Sequence, residues 1–250
     1  SADHKLQVID RTLVPQFTFA DNDFVVTIGQ DGLVSNTAKY LNGQPVFAIN
    51  PDPARYDGIL LPFQASDFGA FLRAALHGDI DRKYVTLARA QTSDGQELLA
   101  FNDFFIGARS HVSARYQIEV GGRSENQSSS GIIVSTGAGS TGWLQSVYAG
   151  AAGVIQAFGG TYVAPPNDGR LPWDSEKLVY SVREPFPSQV TQCSLVHGSL
   201  TRETPLVVTS RMPINGVIFS DGVEEDFLAF NSGATLRIAP ADRKTVLLTR

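Results

Sequence analysis

The chain has 250 residues, a formal net charge of -5, 42% hydrophobic residues and one cysteine. Its length and even spread of apolar residues predict a chain that folds by itself, as one large domain or two modest ones. The acidic balance argues against a surface that binds nucleic acid. The single cysteine, Cys193, excludes an internal disulfide and a cysteine-based zinc site. The lack of an apolar run of about 20 residues argues against a membrane-spanning helix.

The first part of the chain follows a strand-helix-strand pattern. DFVVTIG is typical of a strand that ends at a glycine, LVSNTAKYL (residues 33–41) of a helix, and PVFAIN of the next strand. A second helix is predicted over residues 66–78, between a Ser or Asp cap and Gly78. We expect its buried stripe to hold four apolar side chains: Phe68, Phe71, Leu72 and Leu76. Residues 1–83 are therefore predicted to form an α/β domain.

The pattern changes to many short strands from residue 84 onward. Brief alternating runs such as YVTLARA, ARYQIEV and TLRIAP are separated by Gly, Asn, Asp and Pro, which predicts an antiparallel sandwich over residues 84–240. One helix is expected within it, over about residues 140–158, and exposed loops are expected over residues 120–130 and 164–176. A final strand is predicted within residues 241–250.

A glycine-rich stretch, SSGIIVSTGAGSTGW, occupies residues 129–143 and contains Gly-x-Gly-x-x-Gly. A Rossmann dinucleotide site needs an acidic residue about 20 positions further on. No carboxylate occurs from Trp143 to Asn167, and the elements that follow are not βαβ, so the Rossmann interpretation is rejected. Ser140 and Thr141, at the start of a helix, can still offer donors to an anion or to ribose hydroxyls, or they can simply cap the helix.

Two stretches upstream carry polar side chains beside strands. GQDG places Asp31 between Gly29 and Gly32, where it can reach a hydroxyl group or a magnesium ion. Asn102 and Asp103 lie between apolar runs and can bind an adenine edge or ribose hydroxyls. Each stretch alone is equally typical of an ordinary turn.

Taken in order, these stretches resemble the NAD kinase family. GQDG, the Asn102–Asp103 pair and the STGAGSTG turn are similar to the family's Gly-Gly-Asp-Gly loop, Asn-Glu pair and Thr-Gly-Ser turn. PVFAINPDPARYDGILL and FNDFFIGARS resemble its mitochondrial branch in particular, and FSDGVEEDF resembles its Asp-Gly strand pair. The resemblance extends from Phe24 to about Leu248, and an ordered set of motifs is far more specific than any one of them.

The resemblance implies an NAD kinase-like fold of class α/β plus all-β, with an N-terminal nucleotide-binding part followed by a β-sandwich part that supplies most of the NAD site. It implies transfer of a phosphoryl group from ATP to the 2′-hydroxyl of the adenosine ribose of NAD, giving NADP, with Mg²⁺ bound to the ATP. It also implies a homodimer or homotetramer. We expect a cytoplasmic protein, with the mitochondrial matrix as the alternative.

The resemblance also assigns roles to residues. Asp31 matches the loop aspartate that acts as a base on the ribose hydroxyl or organises magnesium, and Gly29 and Gly32 let the loop close over the ATP phosphates. Asn102 and Asp103 match the pair that binds the dinucleotide. The other residues that are carried over to the NAD site are Thr136, Gly139, Ser140, Thr141, Trp143, as an adenine-stacking face, and Asp221.

Departures from the family pattern leave alternatives open. Gln30 replaces the second glycine of the loop and adds a side chain where backbone meets phosphate, Leu33 replaces a threonine, and Ser130 replaces an aspartate of the commoner branch. About two dozen residues precede the loop, which predicts a shortened ATP side. The alternatives are a catalytically weak dinucleotide-binding protein with this fold, or a relative of the lipid and sugar kinases that share the Gly-Asp-Gly loop.

Overall fold

A computed structural model describes residues 5–250, which form two compact units. One unit ends at Lys83 and adds Thr245–Arg250, and the other is Tyr84–Lys244. The helices are α1 Asp31–Ala38, α2 Phe68–His77 and α3 Trp143–Ala157. The strands are β1 Val25–Ile28, β2 Pro45–Asn50, β3 Phe63–Gln64, β4 Asp81–Thr92, β5 Glu97–Ala100, β6 Asp103–Ala108, β7 Ala114–Val120, β8 Arg123–Ser129, β9 Ile132–Ser135, β10 Leu178–Val182, β11 His197–Leu200, β12 Leu206–Ser210, β13 Gly216–Ser220, β14 Val223–Ala229 and β15 Thr235–Thr249.

The first unit is a small parallel sheet with helices. Strand β2 pairs in parallel with β1, with β3 and with the last residues of β15. Helix α1 connects β1 to β2, and α2 follows β3. Parallel neighbours need such crossover connections, so the strand-helix-strand pattern of the sequence leads directly to this arrangement. This order of strands and helices places the GQDG loop at the carboxyl end of β1.

Aromatic rings form the core of the first unit. Phe47 of β2 stacks on Phe63 at 4.1 Å between ring centroids and meets Phe68 of α2 edge-on at 5.5 Å. Helix α2 is close to its predicted position, but the prediction that Leu76 is buried was wrong, since its side chain is 40% exposed. Ala75 is the buried residue there, and the next helical position points about 100° away from it.

The second unit is an antiparallel β-sandwich, as predicted. One sheet has the strand order β11-β10-β9-β6-β13-β14. In the other, β12 pairs with the start of β15 and with β7, β7 pairs with β8, and β4 pairs with β5. Side chains of both sheets share one apolar core, which includes Phe104, Ile106, Tyr116, Ile118, Ile132, Val134, Tyr180, Val208, Ile218 and Leu236. The core-facing residues alternate with outward ones, so every second residue of β6 and β13 is available on the outer face.

The stretch at residues 120–130 was predicted to be an exposed loop, and this prediction was wrong. Gly121 and Gly122, both with positive φ, form a tight turn, after which β8 pairs with β7 along its whole length. The side chain of Ser129 hydrogen-bonds the buried hydroxyl of Tyr116 at 2.7 Å. Because the strand lacks β-branched and aromatic residues, its composition resembles that of a loop even though its register is well defined.

Candidate functional site

The GQDG loop joins β1 to α1 in the first unit. Gln30 precedes the helix in an extended conformation (φ -83°, ψ 167°), which any residue adopts, and its side chain is exposed. Asp31 is the first residue of α1, and its Oδ1 accepts the N–H of Leu60 at 2.7 Å. Within residues 5–250 its Oδ2 accepts no hydrogen bond. The helix dipole stabilises a carboxylate at a helix N-terminus, which suits an aspartate to this position.

The two glycines of the loop differ in their surroundings. A Cβ at Gly29 would lie 2.8 Å from the end of the flexible Leu33 side chain, whereas a Cβ at Gly32 would meet nothing within 4 Å. Packing inside the protein therefore does not require glycine at position 32. The open space there lets another molecule approach the backbone closely, which is what the predicted role of Gly32 needs.

The magnesium prediction rests on Asp31 alone. Among residues 5–250 there is no group of three or more His, Cys, Asp or Glu side chains that could hold a metal ion. Mg²⁺ that accompanies a nucleotide usually keeps several waters and takes only one or two carboxylates besides the phosphates. The donor set around Asp31 therefore fits a magnesium ion brought by ATP and does not fit an all-protein magnesium site.

In the second unit, Asp221 fixes the backbone of the Asn102–Asp103 pair. Its carboxylate accepts the N–H groups of Phe101 at 2.9 Å and of Asn102 at 2.6 Å, and its own N–H donates to the carbonyl of Asp103 at 3.0 Å. Asp221 and Gly222 have φ of 54° and 70° and form the tight turn between β13 and β14. Asp221 thus positions the start of β6 as well as lining the candidate site.

The two carboxylates of this region influence each other. Burial, and then the nearby charge of Asp221, raise the pKa of Asp103 to about 7. Desolvation penalises the charged form of an acid, and a neighbouring negative charge adds to that penalty. Asp103 therefore changes its charge around neutral pH, between a neutral acid that can donate a hydrogen bond and a carboxylate that can only accept.

We expect the Asp103→Asn variant to gain more stability over the wild type at pH 8 than at pH 5. The folded-state pKa of about 7 lies above the ordinary aspartate pKa of 3.8, so the folded state binds more protons between these values and loses stability as the pH rises through them. The gain in the free energy of unfolding should be about 2 kcal/mol larger at pH 8 than at pH 5. Thermal unfolding at both pH values measures this, with the exposed Glu119→Gln as the control. An equal effect of Asp103→Asn at the two pH values would contradict the shift.

The glycine-rich turn after β9 is held by its own side chains. Thr136 is fully buried, donates its hydroxyl to the carbonyl of Phe101 at 2.5 Å and accepts the N–H of Gly139 at 3.2 Å. The buried Ser140 hydroxyl accepts the N–H of Leu171 at 3.0 Å. These contacts place both hydroxyls in the structure of the turn, and their predicted part in dinucleotide binding stays a prediction.

Two residues of the same turn lie at the surface. Thr141 is exposed, and the side chain of Trp143, the first residue of α3, is 36% exposed. The indole ring of Trp143 is nearly parallel to the ring of Phe105, with 5.9 Å between centroids and 17° between planes. Trp143 therefore belongs to a stacked aromatic pair with an accessible side, as a base-stacking residue must.

A cavity of about 300 Å³ brings three of the predicted site residues together. Its lining includes Asp103, Trp143 and Asp221, together with Phe105, Arg183 and Phe219, which the sequence did not single out. In NDFFIGA, one outward position of a half-exposed strand carries a large aromatic ring. This is the signal that could have identified Phe105. Arg183 follows β10, which is distant in sequence from every motif, and no local pattern marks it.

Comparisons with known proteins support the NAD kinase-like fold. No protein-family model matches the chain. A probable NADH kinase from Oryza sativa subsp. japonica is 27% identical over 228 residues, which cover 81% of this chain and 63% of the rice protein. The structure of yeast NADH kinase complexed with NADH superposes with a TM-score of 0.68 at 15% identity, covering 92% of this chain and 62% of the yeast one. An NAD kinase from Archaeoglobus fulgidus in complex with ATP has a TM-score of 0.61 at 21% identity, covering 91% of this chain and 78% of its own.

These relatives confirm the resemblance to the NAD kinase family and the fold class that it implied. The chain spans about three fifths of the length of the rice and yeast proteins. Its place in the mitochondrial branch, its oligomeric state and its compartment stay predictions. In the described part of the chain, no helix has the length and apolar character that crossing a membrane requires.

Proposed function

We propose that this chain, which has the NAD kinase fold and resembles that family in sequence, phosphorylates the 2′-hydroxyl of the adenosine ribose of a nicotinamide dinucleotide with ATP as the donor. The observation that carries the proposal is the cavity of the second unit, where Asp103, Trp143 and Asp221 meet although they come from separate motifs. A chance match of short motifs gives no reason for these residues to converge.

The chemistry assigned to this chain is an in-line phosphoryl transfer. The ribose 2′-oxygen forms a bond to the γ-phosphorus of ATP, the bond from that phosphorus to the bridging β,γ-oxygen breaks, and ADP leaves. The proton of the 2′-hydroxyl passes to the Oδ2 of Asp31, the carboxylate oxygen that is not engaged with Leu60. Magnesium bound with ATP neutralises charge on the phosphates. The N-terminus of α1 offers backbone N–H groups to the phosphates, since the first turn of a helix has donors without internal partners.

We propose that both NAD and NADH are accepted. The rice and yeast relatives are described as NADH kinases and the archaeal one as an NAD kinase, so both redox forms occur among the proteins that this chain resembles. The phosphorylated hydroxyl belongs to the adenosine half of the molecule, which is identical in the two forms. The aromatic and carboxylate groups around Trp143 and Asp103 are compatible with either.

The test is a product assay with the wild-type chain. ATP, Mg²⁺ and either NAD or NADH are incubated with the protein, and the dinucleotides are separated and identified by mass spectrometry. The proposal predicts NADP or NADPH together with an equal amount of ADP. A lipid or sugar that is phosphorylated in preference to the dinucleotide would favour the lipid and sugar kinase alternative instead.

A substitution at Gln30 distinguishes an active kinase from a catalytically weak dinucleotide-binding protein. Its backbone is extended and its side chain is exposed, so replacing it with glycine removes a side chain without relieving any backbone strain. We therefore expect Gln30→Gly to change the KM for ATP by no more than about threefold and to leave kcat unchanged. Steady-state kinetics with ATP as the varied substrate measures both constants. A variant that gains turnover from an inactive wild type would favour the dinucleotide-binding alternative.

A further inference from the structure

The outer face of the six-stranded sheet carries a row of aromatic rings. Phe105 of β6 is directly opposite Phe219 of β13, with 6.2 Å between nearly parallel rings. Trp143 of α3 stacks on Phe105 at 5.9 Å, and Phe227 of β14 meets Phe219 edge-on at 6.0 Å. All four rings are only partly buried. Three of these rings are nearly parallel, and a partly exposed row of this kind is a stacking platform for another planar ring.

An arginine is held against each end of this row. The guanidinium carbon of Arg183 lies 5.4 Å from the centre of the Trp143 ring, and that of Arg109 lies 4.9 Å from the centre of the Phe227 ring. Both arginines also line the cavity. A guanidinium group that rests on an aromatic face keeps its planar fork of donors oriented, so less freedom is lost when it binds an anion.

The backbone of Arg183 is fixed from both sides. Its N–H donates to the carbonyl of Gly131 at 2.8 Å, and its carbonyl accepts the N–H of Ser130 at 2.9 Å. Gly131 has a φ of +111°, and a Cβ there would come within 2.5 Å of the Phe105 ring. The next residue, Glu184, has a φ of 40°, which is unusual for a residue other than glycine. The same few residues therefore set the positions of both Phe105 and Arg183.

Charge is distributed unevenly along the cavity. Asp103 opens β6 and Arg109 follows its end, while the strand register places Arg183 level with Gly107, the fourth residue after Asp103. At about 3.3 Å per residue, the carboxylate end and the arginine end are about 13 Å apart along the strand direction. The aromatic row lies between them. A base stacked on the row beside Trp143 leaves its ribose-linked phosphate near Arg183 and away from the carboxylates, and a cavity of about 300 Å³ holds one nucleotide rather than a whole dinucleotide.

We propose that Arg183 binds the phosphate of the AMP half of the dinucleotide, whose adenine stacks on the aromatic row beside Trp143. This inference rests on the proposed function for its ligand and adds a binding residue to that site. Arg183 is suited to the role because it is only 33% exposed and the ion-pair partner that it has within residues 5–250, Glu184, is 3.7 Å away and largely in solvent. An exposed pair at that distance contributes little, so the guanidinium group remains available to an anion.

The test compares AMP with adenosine, which differ only in the phosphate. Isothermal titration calorimetry is carried out on the wild type, on Arg183→Gln and Arg183→Lys, and on Arg115→Gln as a control that removes an exposed arginine from β7. We expect Arg183→Gln to weaken AMP binding by about tenfold and adenosine binding by less than about twofold, with Arg183→Lys in between. Circular dichroism establishes that each variant is folded.

Several results would overturn the assignment. They are a wild type that binds AMP no more tightly than adenosine, an unchanged affinity of Arg183→Gln for AMP, or an equal loss for both ligands, which would show that Arg183 only supports the stacking rings. If Arg183→Gln fails to fold, the wild-type comparison of AMP with adenosine still decides. A wild type that makes NADP while Arg183→Gln binds AMP normally would overturn the inference and leave the kinase proposal intact. AMP binding through Arg183 without any phosphorylation of NAD would overturn the kinase proposal and leave the inference about Arg183 intact.

Discussion

Gly139→Ala is expected to abolish the native structure of the glycine-rich turn and to lower the free energy of unfolding by more than about 3 kcal/mol. A Cβ at this position would lie 2.1 Å from the carbonyl oxygen of Asn102 and 2.6 Å from its carbonyl carbon. Backbone atoms cannot rotate away as a side chain can, so the turn and the start of β6 would have to separate. Denaturant unfolding measures the loss.

The effect should extend to ligand binding, because Gly139 and Asn102 are parts of one contact. The N–H of Thr136 donates to the carbonyl of Asn102 at 2.9 Å, and separation of the turn would break this bond. Gly150→Ala is the matched control, since a Cβ at that exposed position of α3 meets nothing within 4 Å. Alanine should stabilise the helix there by roughly 0.5 to 1 kcal/mol. If Gly139→Ala were as stable as this control, the close approach of the two segments would be wrong.

Asp31→Asn is expected to lower kcat by at least about 100-fold without unfolding the protein. Asparagine has nearly the same shape, and its side-chain oxygen can still accept the N–H of Leu60, which Asp31 accepts at 2.7 Å. The variant therefore keeps the link between the GQDG loop and the chain near Leu60. It removes only the negative charge, and with it the proton acceptor and the magnesium ligand. Single-turnover kinetics with saturating ATP and NAD measures the chemical step.

The control for this variant is Asp21→Asn, which removes an exposed carboxylate elsewhere in the first unit. It should leave kcat and the thermal unfolding temperature unchanged. Binding of NAD to Asp31→Asn, followed by calorimetry, should stay within about twofold of the wild type, since the proposed dinucleotide cavity is formed by other residues. A normal kcat in Asp31→Asn would leave Asp31 only the structural role that its bond to Leu60 defines.

Local patterns were sufficient to predict much of this fold. Alternation of apolar residues identified the strands of the sandwich, and caps and glycine stops located α2 and α3 to within a few residues. β8 was missed because a strand rich in Ser, Asn and Gln differs from a loop only through its partner strand. Leu76 was misplaced because the buried face of α2 is set by contacts with Phe47 and Phe63, which no helical pattern contains.

The candidate site was predictable where its residues follow one another along the chain. Asn102, Asp103 and Trp143 belong to motifs, and the structure places Asp103 and Trp143 in one cavity with Asp221. The sequence could not show that the Asp221 carboxylate serves the backbone around Asn102, because that contact joins residues more than a hundred positions apart. Arg183 could not be predicted for the same reason, since only the fold places it in one cavity with Phe105.

The structure also changes the interpretation of the glycines in the glycine-rich turn. A glycine-rich bend between a strand and a helix is usually taken as room for a phosphate group. Here a Cβ at Gly137 would lie 1.9 Å from the carbonyl of Pro172, and one at Gly139 would collide with Asn102, so both positions are filled by protein backbone. Gly32, by contrast, borders open space, which makes the GQDG loop the better candidate for phosphate contact.

Transfer of the terminal phosphate of ATP is the most direct test of the proposed activity. The wild-type protein is incubated with ATP labelled in the γ-phosphate, Mg²⁺ and NADH or NAD, beside Asp31→Asn, and the dinucleotides are separated for counting. We predict label in NADPH or NADP with the wild type and at least about 100-fold less with the variant. A wild type that binds both ATP and the dinucleotide yet transfers no label would contradict the assignment.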